Sequence, residues 1–371
     1  MILLNLYLDN VLAFKDFNVN FSYPVKLRKT SIPNENLSTH PSFRYKKLNI
    51  FIGSNATGKT SLIKCIWSIL FFLTNKERNI IESIMNDDSK IVLDYAEEIG
   101  IESKLKRIII IKDSSYLKMA YNEVTIKDGD SYESRAKDLD NLDYHLIDYI
   151  NCLNCFNFHS GWNMVLPATE PGFSTIHFMI PNNKKETDDY VYILNQVLKT
   201  LDPSIITVKK SKDANNAYVI EHENTDTIIL QDGMNISDIR FLSSGTKYGI
   251  NLANTIYSIK YHKNGIYLID EQFSYVNSDI EASMLSTMVS LLGDNEQIFF
   301  TTHNSSILDL GFPFHSFNFM NKIIDNGIQK IKIACATEVE NRNNVSPKTI
   351  LDNDMLGTAP DTSKIFELGE N

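Results

Sequence analysis

The sequence predicts an α/β fold with a largely parallel sheet, and two observations carry this prediction. Over residues 204–302, short apolar runs alternate with helix-like segments, which is the pattern of strand–helix–strand units. Two of these runs, residues 266–269 and 298–300, are apolar at every position, as strands covered on both faces are. The 371 residues are 43% hydrophobic and 22% charged, so the chain has a globular rather than a disordered composition.

The N-terminal part is predicted to begin with strands. Apolar residues alternate with other residues over 2–8 and again over 17–21. Residues 30–42 are polar and contain proline, which indicates a loop, and residues 48–52 form a short apolar strand that ends at Gly53. Residues 60–73 carry apolar side chains almost all round, which predicts a helix buried in the core.

The rest of the chain divides into an irregular middle, a regular second half and a polar tail. We predict a core over 1–75 and 204–334, an insertion over 76–203 that serves as a lid or partner-docking region, and a tail over 335–371. The elements expected after residue 75 are strands at 107–112, 175–181, 204–209, 217–221, 226–230, 265–270 and 297–302, and helices at 186–200, 244–262 and 279–292.

Residues 53–60 read GSNATGKT and match the phosphate-binding pattern G-x-x-x-x-G-K-[ST] in full. The motif follows a predicted buried strand and opens a predicted helix, where backbone N–H groups and the helix N-terminus bind phosphates. We expect Lys59 to neutralise the β- and γ-phosphates of ATP and the Thr60 hydroxyl to bind Mg²⁺. The candidate ATP-binding residues are Gly53, Ser54, Asn55, Ala56, Thr57, Gly58, Lys59, Thr60 and Ser61.

Two later strands end in residues suited to phosphate chemistry. The run 266–270 ends in Asp270 and is followed by Glu271, which suits a metal ligand followed by a residue that polarises the attacking water. The run 297–302 is followed by His303, which can reach the γ-phosphate as donor or acceptor. Lys59, Glu271 and His303 are therefore the candidate catalytic residues, and Thr60 and Asp270 the candidate Mg²⁺ ligands; an acidic turn and a structural histidine are the alternatives.

A third segment, FLSSGTK at 241–247, precedes a predicted long helix. Ser243 is placed as the N-cap, and Ser243, Ser244 and Gly245 leave N–H groups for an anion. In isolation the segment is an ordinary cap, but it lies some twenty residues before the Asp270–Glu271 strand.

These segments resemble, in order and spacing, the motifs of an ABC-type ATPase head. FIGSNATGKTSL resembles Walker A, FLSSGTKYGI the signature, IYLIDE Walker B and FFTTHN the switch-histidine strand. The opening ILLNLYLDNVLAFKDFNVNF resembles the first hairpin of SMC, RecF and OLD-type ATPases, and the whole is most similar to stand-alone AAA ATPases of bacterial phage-defence and abortive-infection operons. The implied fold is a P-loop NTPase of ABC-ATPase type: a mixed sheet, an N-terminal antiparallel β hairpin and an α+β insertion.

The sequence departs from that family at two places. Ser244 replaces the usual Gly and Thr246 the usual Gln of the signature. Residues 272–277 replace the acidic run of close relatives, so no D-loop contact is assigned, and no Q-loop glutamine is assigned either.

The resemblance implies a homodimer that sandwiches two ATP molecules, with Ser243, Ser244 and Gly245 acting across the interface; assembly beyond a dimer is open. It also implies a nucleotide-gated sensor or regulator of antiviral defence that works with a separate effector, a nuclease or a toxin.

The alternative is a DNA repair or recombination ATPase that clamps DNA through basic clusters at 26–29, 44–47, 104–107 and 209–212, although a net charge of −10 argues against strong binding to nucleic acid. A transporter subunit fits least.

Other functions and locations are disfavoured by composition. Four cysteines are too few for a disulfide scaffold, and Cys152 and Cys155 make one CxxC without a second, so paired core thiols are preferred to a zinc site. The start lacks a signal-peptide pattern and no apolar run is long enough to cross a bilayer, so we expect a soluble cytoplasmic protein with no membrane partner. We expect no effector chemistry in this chain.

Overall fold

The structure is a computed structural model of the chain. It describes residues 1–24, 30–99, 102–155, 162–165, 181–213, 217–223, 228–231, 234–235, 244–271, 273, 276–325, 328–339 and 346–355.

Sixteen strands lie within these ranges. They are β1 (Ile2–Val11), β2 (Phe17–Asn20), β3 (Leu48–Ile52), β4 (Met85–Ile99), β5 (Glu102–Asp113), β6 (Tyr116–Thr125), β7 (Ile147–Asp148), β8 (Trp162–Val165), β9 (Ile205–Lys210), β10 (Ala217–His222), β11 (Ile228–Gln231), β12 (Met234–Asn235), β13 (Ile266–Asp270), β14 (Gln297–Thr302), β15 (Phe317–Asp325) and β16 (Ile328–Cys335).

Nine α-helices lie within the same ranges, with 3₁₀ turns at Ser305–Asp309 and Phe314–Ser316. The helices are α1 (Lys59–Asn75), α2 (Arg78–Glu82), α3 (Tyr132–Asp140), α4 (Tyr149–Asn154), α5 (Lys184–Leu201), α6 (Ser244–Lys260), α7 (Ser278–Leu291), α8 (Ala336–Val339) and α9 (Pro347–Asp352).

The central sheet has the strand order β16-β15-β3-β14-β13-β8. All neighbours from β15 to β8 are parallel, and only β16 runs antiparallel. The prediction of a largely parallel sheet is therefore confirmed. Because parallel strands end at the same edge, the loops that follow β3, β13 and β14 lie side by side.

The second sheet is antiparallel, with the order β2-β1-β4-β5-β6-β7. Strands β1 and β2 form the expected hairpin, in which Leu6 lies opposite Val19. Strand β1 also pairs along β4, where Leu6 lies opposite Leu93, so residues from both sides of the expected boundary at residue 75 share one sheet. The division of the chain into core, insertion and tail stays a prediction.

The core is layered around α1, which lies between the two sheets. Its apolar residues pack in one cluster with Leu6 and Leu8 of β1 and with Ile266 and Leu268 of β13. The alternate residues of β13, Tyr267 and Ile269, face a second cluster that contains α5, α6 and α7. The central sheet is thus covered on both faces, which explains its continuous apolar runs and the all-round apolar character of α1.

The remaining elements flank this core. A small antiparallel sheet, β12-β11-β10-β9, packs with α5, which covers the helical run predicted at 186–200. Although the tail is polar, Ile350 of α9 is fully buried. The strand expected at 175–181 lies outside the described residues. No helix in the described ranges is both long and apolar enough to cross a bilayer.

Candidate active site

The loop between β3 and α1 is shaped by its two glycines. A Cβ atom on Gly53 would lie 2.4 Å from the carbonyl oxygen of Met320, so no larger residue fits. Gly58 has a φ of +95°, in the left-handed region that favours glycine. Within the loop the Thr57 hydroxyl donates to the Ser54 carbonyl oxygen at 2.9 Å. The backbone is therefore held in a tight turn at the edge of the sheet.

The N-terminus of α1 offers donors for an anion. The helix begins at Lys59, and the N-cap residue Gly58 has no side chain to accept from the first-turn N–H groups. Asn55, Ala56 and Thr60 are exposed around this end. The unpaired N–H groups and the helix dipole together suit the phosphates of a nucleotide.

The Lys59 side chain is buried at the centre of this loop, with 3% exposure. Its ammonium donates to the carbonyl oxygens of Gly53 at 3.0 Å and Ser54 at 3.1 Å. It also lies 3.3 Å from Oε1 of Glu271. Burial lowers the pKa of Lys59, and the Glu271 carboxylate acts in the opposite direction.

Glu271 and His303 meet Lys59 from the two neighbouring strands. Nε2 of His303 lies 2.7 Å from Oε1 of Glu271, and Nδ1 lies 3.1 Å from the Gly53 carbonyl oxygen. The Lys59 ammonium is 3.4 Å from the same Nδ1. Glu271 has a φ of +40°, a backbone conformation uncommon for a non-glycine residue and found at functional sites. The three predicted catalytic residues thus converge on one point.

Asp270 lies beside this group and is almost fully buried. Burial raises the pKa of its carboxyl, and hydrogen bonds from Thr301 and Thr60 act in the opposite direction. A hydroxyl and a carboxylate at the helix N-terminus are oxygen ligands of the kind that Mg²⁺ prefers, with phosphate oxygens and water completing its shell. Thr60 and Asp270 therefore fit the metal role predicted for them.

Thr301 is a residue that sequence reasoning missed. Its hydroxyl accepts from the Glu271 backbone N–H at 2.8 Å and donates to Oδ1 of Asp270 at 2.6 Å. It thereby fixes both acidic residues from the neighbouring strand. In the parallel register of β13 and β14, Thr301 lies opposite Asp270, so knowledge of that pairing would have identified it.

The signature segment is described only in part. Ser244 and Gly245 are the first two residues of α6, and Ser243 lies outside the described residues, as does its predicted N-cap role. Their action on a partner's nucleotide stays a prediction. The segment that resembles the D-loop ends at Asn277, whose side chain caps α7 by accepting from the Asp279 N–H at 2.8 Å.

The CxxC pair does not form the expected pair of core thiols. Cys152 is buried, but Cys155 is exposed because α4 turns its end toward solvent. Among the described residues, no group of three or more His, Cys, Asp or Glu side chains is placed to hold a metal ion by itself.

Most of the described residues in the predicted basic clusters are buried or ion-paired, so they do not form an open basic surface. Lys46 and Lys47 are buried. Four others form ion pairs within the antiparallel or small sheet, namely Lys104 with Glu123, Lys106 with Glu97, Arg107 with Asp94, and Lys209 with Glu221. The cluster at 26–29 lies outside the described residues.

Comparisons with known proteins agree with this fold. The model of the AAA domain family matches residues 5–342. A Smc head domain with an extended coiled coil from Pyrococcus furiosus, solved bound to the C-terminal domain of ScpA, is similar with a TM-score of 0.50 and 10% identity over 95% of this chain and 99% of that one. A Smc head bound to the C-terminal winged-helix domain of ScpA has a TM-score of 0.49, with 12% identity over 92% of this chain and 100% of that one.

A third solved structure is more distant. The recombination mediator protein RecF, with a TM-score of 0.39, shares 11% identity over 89% of this chain and 97% of that one. No curated protein compared with the chain matches it significantly. The described architecture is thus similar in fold to a Smc head domain.

Proposed function

We propose that this chain, which belongs to the AAA domain family, is an ABC/SMC-type ATPase that binds and hydrolyses ATP with Mg²⁺. The observation that carries the proposal is the convergence of Lys59, Glu271 and His303, with contacts of 3.3 Å and 2.7 Å to one carboxylate oxygen. These groups lie beside a helix N-terminus that is suited to phosphates.

Each residue has a defined task in this proposal. The loop N–H groups and Lys59 bind the β- and γ-phosphates, and Thr60 and Asp270 hold Mg²⁺, which when bound neutralises phosphate charge. Glu271 accepts the proton of the attacking water, because a carboxylate beside the γ-phosphate position is the nearest acceptor. His303 holds Glu271 through Nε2 and faces the same phosphate.

The decisive test is ATP turnover by Lys59→Ala. Removal of a buried charged contact costs on the order of 2–5 kcal/mol, so kcat/KM should fall roughly 30- to 4,000-fold. Lys47→Ala is the matched control, because Lys47 is equally buried at the opposite end of β3, where burial also lowers its pKa. Lys47→Ala should lose stability and keep the kcat and KM of its folded fraction. Equal turnover by wild type and Lys59→Ala would refute the proposal.

We extend the proposal to an ATP-sandwich homodimer in which Ser243, Ser244 and Gly245 act on the partner's nucleotide. The support is the sequence resemblance of this segment to an ABC signature and its place at the start of α6. On this basis the chain is a nucleotide-gated regulator of antiviral defence that acts with a separate effector; the defence role rests on the sequence resemblance alone. ATP-dependent dimerisation, measured by size exclusion with light scattering, tests the first step.

The alternative is an ATPase that clamps DNA directly. The ion pairs of Lys106, Arg107 and Lys209 count against it, because paired cations attract phosphate backbones weakly. A DNA-binding titration at several salt concentrations, with and without ATP, separates the two. A steep salt dependence that appears only with ATP would favour the clamp.

A further inference from the structure

Glu281 is a buried carboxylate next to the candidate active site that neither the motifs nor the comparisons assign. It is the fourth residue of α7 and only 4% exposed. Its Oε1 accepts from the Thr302 hydroxyl at 2.6 Å, and its Oε2 accepts from Nδ2 of Asn304 at 2.8 Å. Both carboxylate oxygens are therefore used by the two residues that flank His303.

The turn around His303 is braced further by these same neighbours. The Asn304 backbone N–H donates to the Thr302 hydroxyl at 2.9 Å, and Oδ1 of Asn304 accepts from the Ser306 N–H at 2.9 Å. His303 is thus the apex of a turn whose two sides converge on Glu281. Its ring must be held closely, because it contacts Glu271 and the Gly53 carbonyl at the same time.

The burial of Glu281 is costly for the protein. Burial raises the pKa of its carboxyl, and the hydrogen bonds from Thr302 and Asn304 act in the opposite direction. No Lys or Arg side chain of the described residues forms an ion pair with it, and besides these hydrogen bonds only the nearby His303 favours its charged form. A cavity of about 300 Å³, bordered by Glu271, Glu281 and His303, joins it to the reacting groups.

We propose that Glu281 is a positioning residue for ATP hydrolysis, which fixes His303 against Glu271 by holding Thr302 and Asn304. The inference rests on the proposed function. A further contact links the turn around His303 to α7: Nδ2 of Asn304 lies 3.4 Å from the carbonyl oxygen of Ser278, the first residue of α7. Helix α7 and the turn around His303 then move as one unit.

The first test compares turnover by Glu281→Ala and Glu281→Gln. The alanine variant loses both hydrogen bonds, and a small misplacement of a reacting group costs up to about 100-fold, so kcat should fall about 10- to 100-fold with KM for ATP nearly unchanged. The glutamine variant keeps an acceptor for Asn304 and a partner for Thr302, so it should recover most of kcat. A kcat of Glu281→Ala equal to wild type would overturn the proposal.

Glu296→Ala is the matched control. Glu296 is an equally buried carboxylate at the opposite end of β14, where it accepts from the Gly293 N–H and contacts His262. Its loss should lower stability and leave kcat unchanged. If both alanine variants lowered kcat equally, Glu281 would be merely structural.

A double-mutant cycle shows whether Glu281 acts through His303. In a His303→Ala background, Glu281→Ala should lower kcat less than twofold further, because the residue it positions is gone. Additive losses would contradict the proposal.

An NMR measurement keeps the inference separate from the ATPase proposal. The ring Cε1–H resonance of His303, assigned through His303→Ala, should shift or broaden in Glu281→Ala and remain in place in Glu296→Ala. If the wild type proved inactive while the resonance responded, the ATPase proposal alone would fail. If the wild type hydrolysed ATP and the resonance stayed unchanged in Glu281→Ala, the positioning role would fail.

Discussion

Two ion-pair clusters in this molecule use similar residues for different purposes. In the antiparallel sheet, Asp94 is fully buried and receives Nε and Nη2 of Arg107 at 2.6 Å and 2.7 Å and the Tyr132 hydroxyl at 2.8 Å. At the edge of the parallel sheet, Glu271 keeps 27% of its side chain exposed and meets both Lys59 and His303 through one oxygen.

The difference lies in where the donors come from. Asp94 and Arg107 lie directly opposite each other on β4 and β5, so their bidentate pair follows from strand register. Both carboxylate oxygens of Asp94 accept hydrogen bonds from within the protein. The second cluster is assembled from the first residue of α1 and the residues that follow β13 and β14, and it borders a cavity. We infer that the first cluster holds the fold together, whereas the second exchanges partners during a reaction.

The largest expected effect is on catalysis, in Glu271→Gln. The amide is nearly isosteric but cannot accept the proton of water, so kcat should fall about 10²–10⁴-fold while ATP binding is retained. Steady-state hydrolysis and equilibrium binding of a fluorescent ATP analogue measure the two quantities. If the sandwich forms, this variant should also accumulate as an ATP-dependent dimer.

The comparison with the first cluster supplies the control for that result. Asp94→Asn should lower the stability of the fold but leave kcat unchanged in the folded protein. The assignment of one cluster to catalysis and the other to stability would be contradicted by either of two results. One is a Glu271→Gln variant that hydrolyses ATP at the wild-type rate, and the other is a folded Asp94→Asn variant without activity.

The second effect is on stability, in Arg107→Ala. Removal of one member of a buried pair leaves Asp94 buried without its cation, which costs about 3–5 kcal/mol in the free energy of unfolding. Urea denaturation followed by circular dichroism measures it, and Glu271→Gln should differ from wild type by less than about 1 kcal/mol in the same assay. A loss below that value for Arg107→Ala would show that the first cluster is not structural.

The smallest expected effect is on stability and nucleotide affinity, and it distinguishes two glycines. Gly58 lies in the phosphate-binding loop, and Gly129 lies after β6 of the antiparallel sheet. Gly58 and Gly129 have φ values of +95° and +85°, but a Cβ on Gly58 would lie 2.6 Å from Cδ1 of Ile331, whereas Gly129 has open space around it. Each alanine variant should lose about 1–2 kcal/mol of stability from the backbone alone. Gly58→Ala should also weaken binding of the ATP analogue, because the positive φ that alanine disfavours lies in the phosphate-binding loop itself. Equal nucleotide affinity in both variants would contradict the role of the loop.

Local sequence was sufficient to predict the strands, the helix and the loop that lie near the candidate active site. The continuous apolar runs of β13 and β14, the all-round apolar α1 and the glycine-rich loop were all predictable, because burial on both faces and a positive φ leave a direct mark on residue type. The same runs place Asp270, Glu271 and His303 at strand ends, and parallel strands bring such ends to one edge.

Tertiary structure alone decided which residues act together. The role of Thr301 depends on its register opposite Asp270, and that of Glu281 on how α7 packs against the histidine turn. The pairing of β1 with β4 joins segments some eighty residues apart, and Lys106 and Arg107 are neutralised by cross-strand partners. Residue type along the chain carries no record of such partners, because hydrogen bonds and ion pairs between distant segments depend on strand register and packing rather than on local periodicity.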